Sequence, residues 1–457
     1  MGFDLPAMLA GQLDEGQRLH AEHLNPQLSK MLHAIGFDRV FRRGEGAHLW
    51  DAAGERYLDF LSGFGVHAVG RNHPVVRQAL HQILDAELAD LVQFDAPALP
   101  GVLAEQLLAR APGMDRVYFC NSGTEAVEAA LKFARCATGK PRVLFCDHAY
   151  HGLTLGSLSV NGAPEFREGF APLLPDTQIP FGDLDALDRE LRRGDVAAFL
   201  VEPIQGKGVN IPPAGFLTAA QALVREHGAL LIADEVQTGL GRTGRWFAYQ
   251  HENVQPDIVT VAKALSGGFV PVGATMARAG IFERVYSSLD RVFVHASTFA
   301  GNALAMAAGL ATISVIEDEG LIANANARGG ELVDGLRALA ASHPSIADVR
   351  GRGLMIGIEF GTPRTVRGKA MWTTLNAARP GLFAQMVVVP LFTQHRVLTQ
   401  VAGDHMAVIK LLPPLTITSE DAREFLAAFA SVMQTAERPG GLALDFGKTL
   451  IKQALHR

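Results

Sequence analysis

Ala229–Trp246 reads ALLIADEVQTGLGRTGRW, and Pro256–Gly268 reads PDIVTVAKALSGG. Each holds an apolar run, Ala229 to Ala233 and Ile258 to Ala262, and each run closes on one ionisable residue, Asp234 and Lys263. Short apolar runs closed by polar or glycine-rich turns predict strands buried on both faces of a parallel sheet. In open α/β sheets ligands collect at the carboxyl ends of such strands, where Asp234 and Lys263 fall.

An amine and a carboxylate at strand ends suit pyridoxal 5'-phosphate (PLP). That cofactor needs a lysine for its Schiff base and an acid to keep its ring nitrogen protonated, so that the ring acts as an electron sink. Taken alone, the two residues fit a solvated lysine and a helix cap equally well. The rest of the chain has to decide.

A chain of 457 residues exceeds one ordinary core, which predicts two closely joined domains. Its net charge of −6 speaks against nucleic acid and anionic membranes as partners. Cys120, Cys136 and Cys146 have no metal-ligand spacing and form no disulfide framework, so a reducing compartment is expected. The first residues carry no secretory pattern, and no apolar run is long enough to span a membrane, so a cytoplasmic location is expected.

Along the chain, residues 47–60 predict a hairpin around an Asp and Gly turn. Arg116–Cys120 predicts a strand, followed at once by NSGTEAVEAALKFAR, a helix that Ser122 or Thr124 caps. A strand, a Ser-Gly-Thr turn and a helix amino terminus form an anion site: free N–H groups and the positive dipole end converge on a phosphate. Glu125 and Glu128 in the first turns oppose a dianion there.

The next strand, Arg142–Cys146, leads to DHAYHG, where Tyr150 or His151 is placed to stack on a planar ring. Strand Ala197–Val201 ends in Glu202, a third carboxyl-end acid. Beyond a helix at about Asn302–Ile316, helix, strand, strand, strand and helix follow at Glu331–Ala341, Leu354–Phe360, Met386–Val389, Val408–Leu412 and Glu420–Val432. The expected fold is α/β, a large domain with a mostly parallel sheet plus a smaller α+β domain. Residues 1–60 join the small domain, 61–310 form the large one and 311–457 the small one. The tail from Pro439 predicts a turn and a short docking helix.

CNSGTEAVEAALKFAR, DHAYHG, VEPIQG, ADEVQTGLGRTG, VAKALSGG, HASTFAGN and LLPPLTI, in this order, resemble the class III aminotransferases of PLP fold type I, the ornithine, acetylornithine, 4-aminobutyrate and putrescine group. The resemblance implies that Lys263 carries the Schiff base to PLP and shuttles the substrate proton, and that Asp234 pairs with the ring nitrogen. It implies that Ser122, Gly123 and Thr124 hold the phosphate, and that Thr298 reaches the phosphate of a neighbouring subunit. Tyr150 and Val236 sandwich the ring, Gln237 lies near the phenolic oxygen, and Glu202 lies beside the cofactor. It also implies a homodimer with shared active sites, and an amine donor and a carbonyl acceptor as substrates.

Two departures bear on substrate. Where many members carry an arginine and a glutamate that gate a carboxylate, this chain has Lys410 and Lys207, which cannot make that ion pair. Residues 380–397 are unusually apolar and are expected either to belong to the small-domain core or to form a hydrophobic mouth for a long aliphatic substrate. The expected reaction moves an amino group, from a terminal amine in the leading reading, through PLP to an oxo acid, aldehyde or ketone. Alternatives are a lipid-like substrate, a PLP-dependent isomerase on the same fold, or a binding protein without turnover.

Overall fold

The computed structural model describes residues 3–89, 95–362, 369–370, 372–373, 377, 380–403 and 406–436. The apolar runs form a seven-stranded sheet ordered Arg116–Cys120, Gly273–Ala277, Ile258–Val261, Leu230–Asp234, Val196–Val201, Arg142–Cys146, Thr177–Ile179. Gly273–Ala277 runs antiparallel to both its neighbours, and the other pairings are parallel. The remaining six strands therefore point the same way, and their carboxyl ends share one edge. Every residue of Arg142–Cys146 and Val196–Val201 is buried, because helices cover both faces of a parallel sheet.

The helix Gly123–Thr138 packs its Ala126, Val127, Ala130 and Phe133 face onto this sheet. Small residues there let helix and strands approach closely.

A second, antiparallel sheet pairs Ile346–Arg352, Met355–Phe360, Val408–Leu411 and Gln400–Val401 in that order. The amino-terminal hairpin carries an extra strand, Phe41–Glu45, before His48–Asp51 and Arg56–Asp59. Its last strand pairs in parallel with Val397–Leu398. Beside that pairing Phe60 stacks on Phe425, ring centroids 4.6 Å apart. The helix Ala303–Asp318 runs through residue 310, and its Gly309 and Ala305 are buried against the large sheet's core.

One segment differs from expectation. Met386–Val389 is not a strand but part of the helix Leu382–Thr393, whose residues from Phe383 to Phe392 are buried apart from Gln385. A helix buried all round has no amphipathic period, so its pattern does not distinguish it from a buried strand. Phe383, Val387 and Leu391 enter the main core, and Phe392 packs on Phe37 at 4.1 Å and on Tyr57 at 5.2 Å. None of residues 380–397 borders the cleft described below, so the helix Leu382–Thr393 is core and not a substrate mouth. The expected tail helix beyond Pro439 lies outside the described residues.

Candidate active site

Along the shared edge the strand ends converge on two adjoining cavities, of about 510 and 580 Å³, both bordered by Tyr150, Asp234, Val236 and Lys263. The parallel register sets Asp234 opposite Thr260, so Thr260 Oγ1 donates to Asp234 Oδ1 at 2.9 Å, and the Val236 N–H donates to the same oxygen at 3.0 Å. His151 Nδ1 lies 2.6 Å from Asp234 Oδ2, and its Nε2 is buried without a partner. His151 therefore serves the carboxylate and does not stack on a ring. Tyr150 borders both cavities and meets Phe166 edge-on, centroids 5.5 Å apart.

Lys263 starts a short 3-10 turn directly after its strand, with φ at +36. A lysine in the left-handed region is strained, and such strain gathers where side-chain aim matters more than backbone comfort. Burial pulls its amine below the ordinary lysine range, against the attraction of Asp234 and Glu202. Burial likewise lifts Glu202, while donation from the Tyr150 N–H at 3.0 Å and the Gly206 N–H at 2.7 Å opposes the lift. A Cβ on Gly206 would stand 2.7 Å from Gln237 Oε1 and 3.1 Å from Glu202 Oε2, so a larger residue there would have to push these two side chains aside.

At the start of the helix Gly123–Thr138, Ser122 caps it by accepting from the Glu125 N–H at 3.3 Å. Gly123 and Thr124 open the helix, so their N–H groups have no intrahelical acceptor. A Cβ on Gly123 would come within 2.9 Å of Val236, which fixes how closely the helix approaches that side chain. The first-turn acids do not crowd the anion site. Glu125 accepts from the Asn121 N–H at 2.6 Å, and Glu128 accepts from the Gly156 and Ser157 N–H groups at 2.9 and 3.1 Å. The Thr124 hydroxyl is shared with Thr154 at 2.7 Å and Ser157 at 2.6 Å.

Donors at a helix start, a hydrogen-bonded carboxylate, an aromatic and a valine flanking one gap, and a depressed lysine amine fit PLP group by group. The orphaned His151 and the close Gly123 approach belong to the same cradle.

Lys207 and Lys410 both border the 510 Å³ cavity. Lys410 Nζ donates to the Gly206 carbonyl at 2.7 Å and to Gln237 Oε1 at 3.3 Å. Gln237 in turn donates to the Phe64 carbonyl at 3.1 Å. Burial first, then the Lys263 charge, pushes Lys410 down to about 7, with Glu202 opposing. Lys207 pairs with Glu165. Thr298 is exposed and borders neither cavity of its own chain.

Sequence reasoning missed Thr260, Phe64, Phe166 and Val401. Thr260 alone carried a signal: aligning the two strand ends sets it beside Asp234.

Residues 33–433 match the family described as aminotransferase class-III. The chain belongs to the class III aminotransferases. PLP is the cofactor of these transaminases, and the cradle above has the donor set for it.

This class III chain is 37% identical over 453 residues to aminotransferase PigE from a Serratia species, covering 92% of this chain. It spans 53% of the length of that relative. Among solved structures, the ornithine aminotransferase from Toxoplasma gondii ME49 is 31% identical with a TM-score of 0.80, over 96% of this chain and 99% of that one. A PLP-bound amine transaminase from an uncultivated Pseudomonas species is 31% identical with a TM-score of 0.75, over 87% and 94% of the two chains. Among the described residues no helix is long and apolar enough to cross a membrane.

Proposed function

We propose that this transaminase takes its amino group from a terminal primary amine distant from any carboxylate and passes it to an oxo acid, aldehyde or ketone. The observation that carries the reading is the convergence of Lys263, Asp234 and the Gly123 helix start on one gap between Tyr150 and Val236. Bound PLP supplies a carbonyl for the donor amine and an electron sink that acidifies the neighbouring C–H. Lys263 Nζ takes that proton and returns it, and burial, by lowering its affinity for a proton, favours the neutral amine that a base needs.

Asp234, steadied by His151 and Thr260, would balance the ring nitrogen's positive charge. Gly123, Thr124 and Ser122 would hold the phosphate. Tyr150 and Val236 would flank the ring and Gln237 would lie by its oxygen, while Glu202 balances the lysine charges. We further infer a cytoplasmic homodimer. Thr298 lies in an exposed run with Phe293, Val294 and Phe299, as an interface would require, and the three cysteines are free thiols.

A spectral titration tests the reading. With donor alone, butylamine or a diamine is expected to abolish the visible absorbance of the bound cofactor, because the amine stays on the cofactor until an acceptor arrives. An isomerase would keep that absorbance. The family match favours transfer over isomerisation.

Lys410 gives the acceptor step a pH dependence. It is a cation below about 7 and neutral above. The kcat/KM for pyruvate should therefore fall as pH rises through about 7, and the profile for an aldehyde should not share that step. Superimposable profiles for the two acceptors would remove Lys410 from carboxylate binding.

A further inference from the structure

Beyond the reactive centre, the substrate-side cavity is walled by Phe64, Phe166, Val401 and Ala402, and besides Lys263 its cations among the described residues are Lys207 and Lys410. Neither lysine faces the cavity as a free charge. Lys410 is committed to the Gly206 carbonyl and Gln237. The Lys207 ammonium forms an ion pair with Glu165 and lies 5.2 Å above the Phe166 ring. Its stem packs along Gly403, where a Cβ would come within 2.8 Å of Lys207 Cε.

The pair thus closes a seam between three segments. Glu165 and Phe166 come from the turn Pro164–Arg167, Lys207 from the loop after strand Val196–Val201, and Gly403 from the loop after Gln400–Val401. Phe166 also meets Tyr150 edge-on, so the same turn that holds Lys207 reaches the ring-flanking tyrosine.

A substrate carboxylate entering this end has to take Lys207 from Glu165, while the Glu165 carboxylate stands beside it with like charge. An uncharged tail leaves the pair intact and covers the apolar wall. We propose that Glu165 determines specificity: by holding Lys207 it keeps the outer cavity from binding a carboxylate, and it selects donors whose tail beyond the amine carries no carboxylate. The assignment rests on the transaminase reading for its substrates, but not for its decisive measurement.

That measurement is calorimetric titration of the PLP-loaded enzyme with butanoate at mildly alkaline pH. Butanoate offers the carboxylate without an amine, so no turnover intervenes. Glu165→Gln is expected to bind it about tenfold more tightly than the wild type, the scale of one charge-assisted hydrogen bond set free. Glu165→Gln combined with Lys207→Met is expected to lose the gain. Equal affinity of wild type and Glu165→Gln, no binding by either, or a gain that survives loss of Lys207 overturns the assignment.

In turnover, the preference for butylamine over 4-aminobutyrate should drop about tenfold in Glu165→Gln. An enzyme that reacts with no amine defeats the transaminase reading, and the butanoate titration still decides the role of Glu165.

Discussion

Lys263→Ala is expected to lower transamination turnover by roughly 10²- to 10⁴-fold, the range that a positioned proton-transfer group contributes. Its amine is attracted by Asp234 and Glu202, its backbone is held at a φ of +36, and no other described lysine borders both cavities. Lys410 borders only the substrate side and is committed to Gly206, so it is not a substitute. The same change should stabilise the cofactor-free chain. Burial lowers the Lys263 pKa on folding, so at neutral pH the unfolded chain holds a proton that the folded chain binds less well.

That penalty is present below the unfolded lysine pKa and fades as pH rises toward it. Removing the amine removes the penalty. Lys263→Ala without PLP should therefore melt above the wild type at neutral pH, with the difference shrinking in alkali. Borohydride reduction of the loaded variant should leave no PLP mass on the chain. A variant that keeps more than a tenth of wild-type turnover would put the proton transfer elsewhere.

Opposite effects on stability and turnover are what a residue kept for chemistry produces. They also explain why this part of the site was legible. An apolar run that ends abruptly on a charge breaks the local rule for burial, and it did so at Asp234, Glu202 and Lys263, each at a sheet edge. The helix start at Ser122 was legible for a similar reason, since capping chemistry is local.

Other contacts were hidden because they are long-range. His151 and Asp234 lie far apart in sequence, and an imidazole after a strand reads the same whether it stacks or donates. Phe166, Val401 and Glu165 reach the cavity from segments whose local patterns say only turn or strand. The Leu382–Thr393 helix was misread because complete burial erases the periodicity that separates helix from strand.

Asp234 offers the second large effect, and two variants separate its structural role from its chemical one. Asp234→Ala strips acceptors from three donors at once: the buried Thr260 Oγ1 and His151 and the half-buried Val236 N–H. Each orphaned group costs about 1–3 kcal/mol, so a loss of several kcal/mol and a lowered melting temperature are expected. Asp234→Asn keeps an oxygen for Thr260 and Val236. Its amide can donate to His151 Nδ1 once the ring proton moves to Nε2, so the fold should hold.

What the amide cannot supply is negative charge opposite the ring nitrogen. In a site walled from water, one misplaced charge costs about 10²- to 10³-fold in turnover. Asp234→Asn is therefore expected to melt close to the wild type while losing turnover on that scale, and Asp234→Glu should recover part of it. If Asp234→Asn stays within tenfold of the wild type, the carboxylate organises His151 and Thr260 without acting on the cofactor. If it unfolds as Asp234→Ala does, the charge itself holds the two strand ends together.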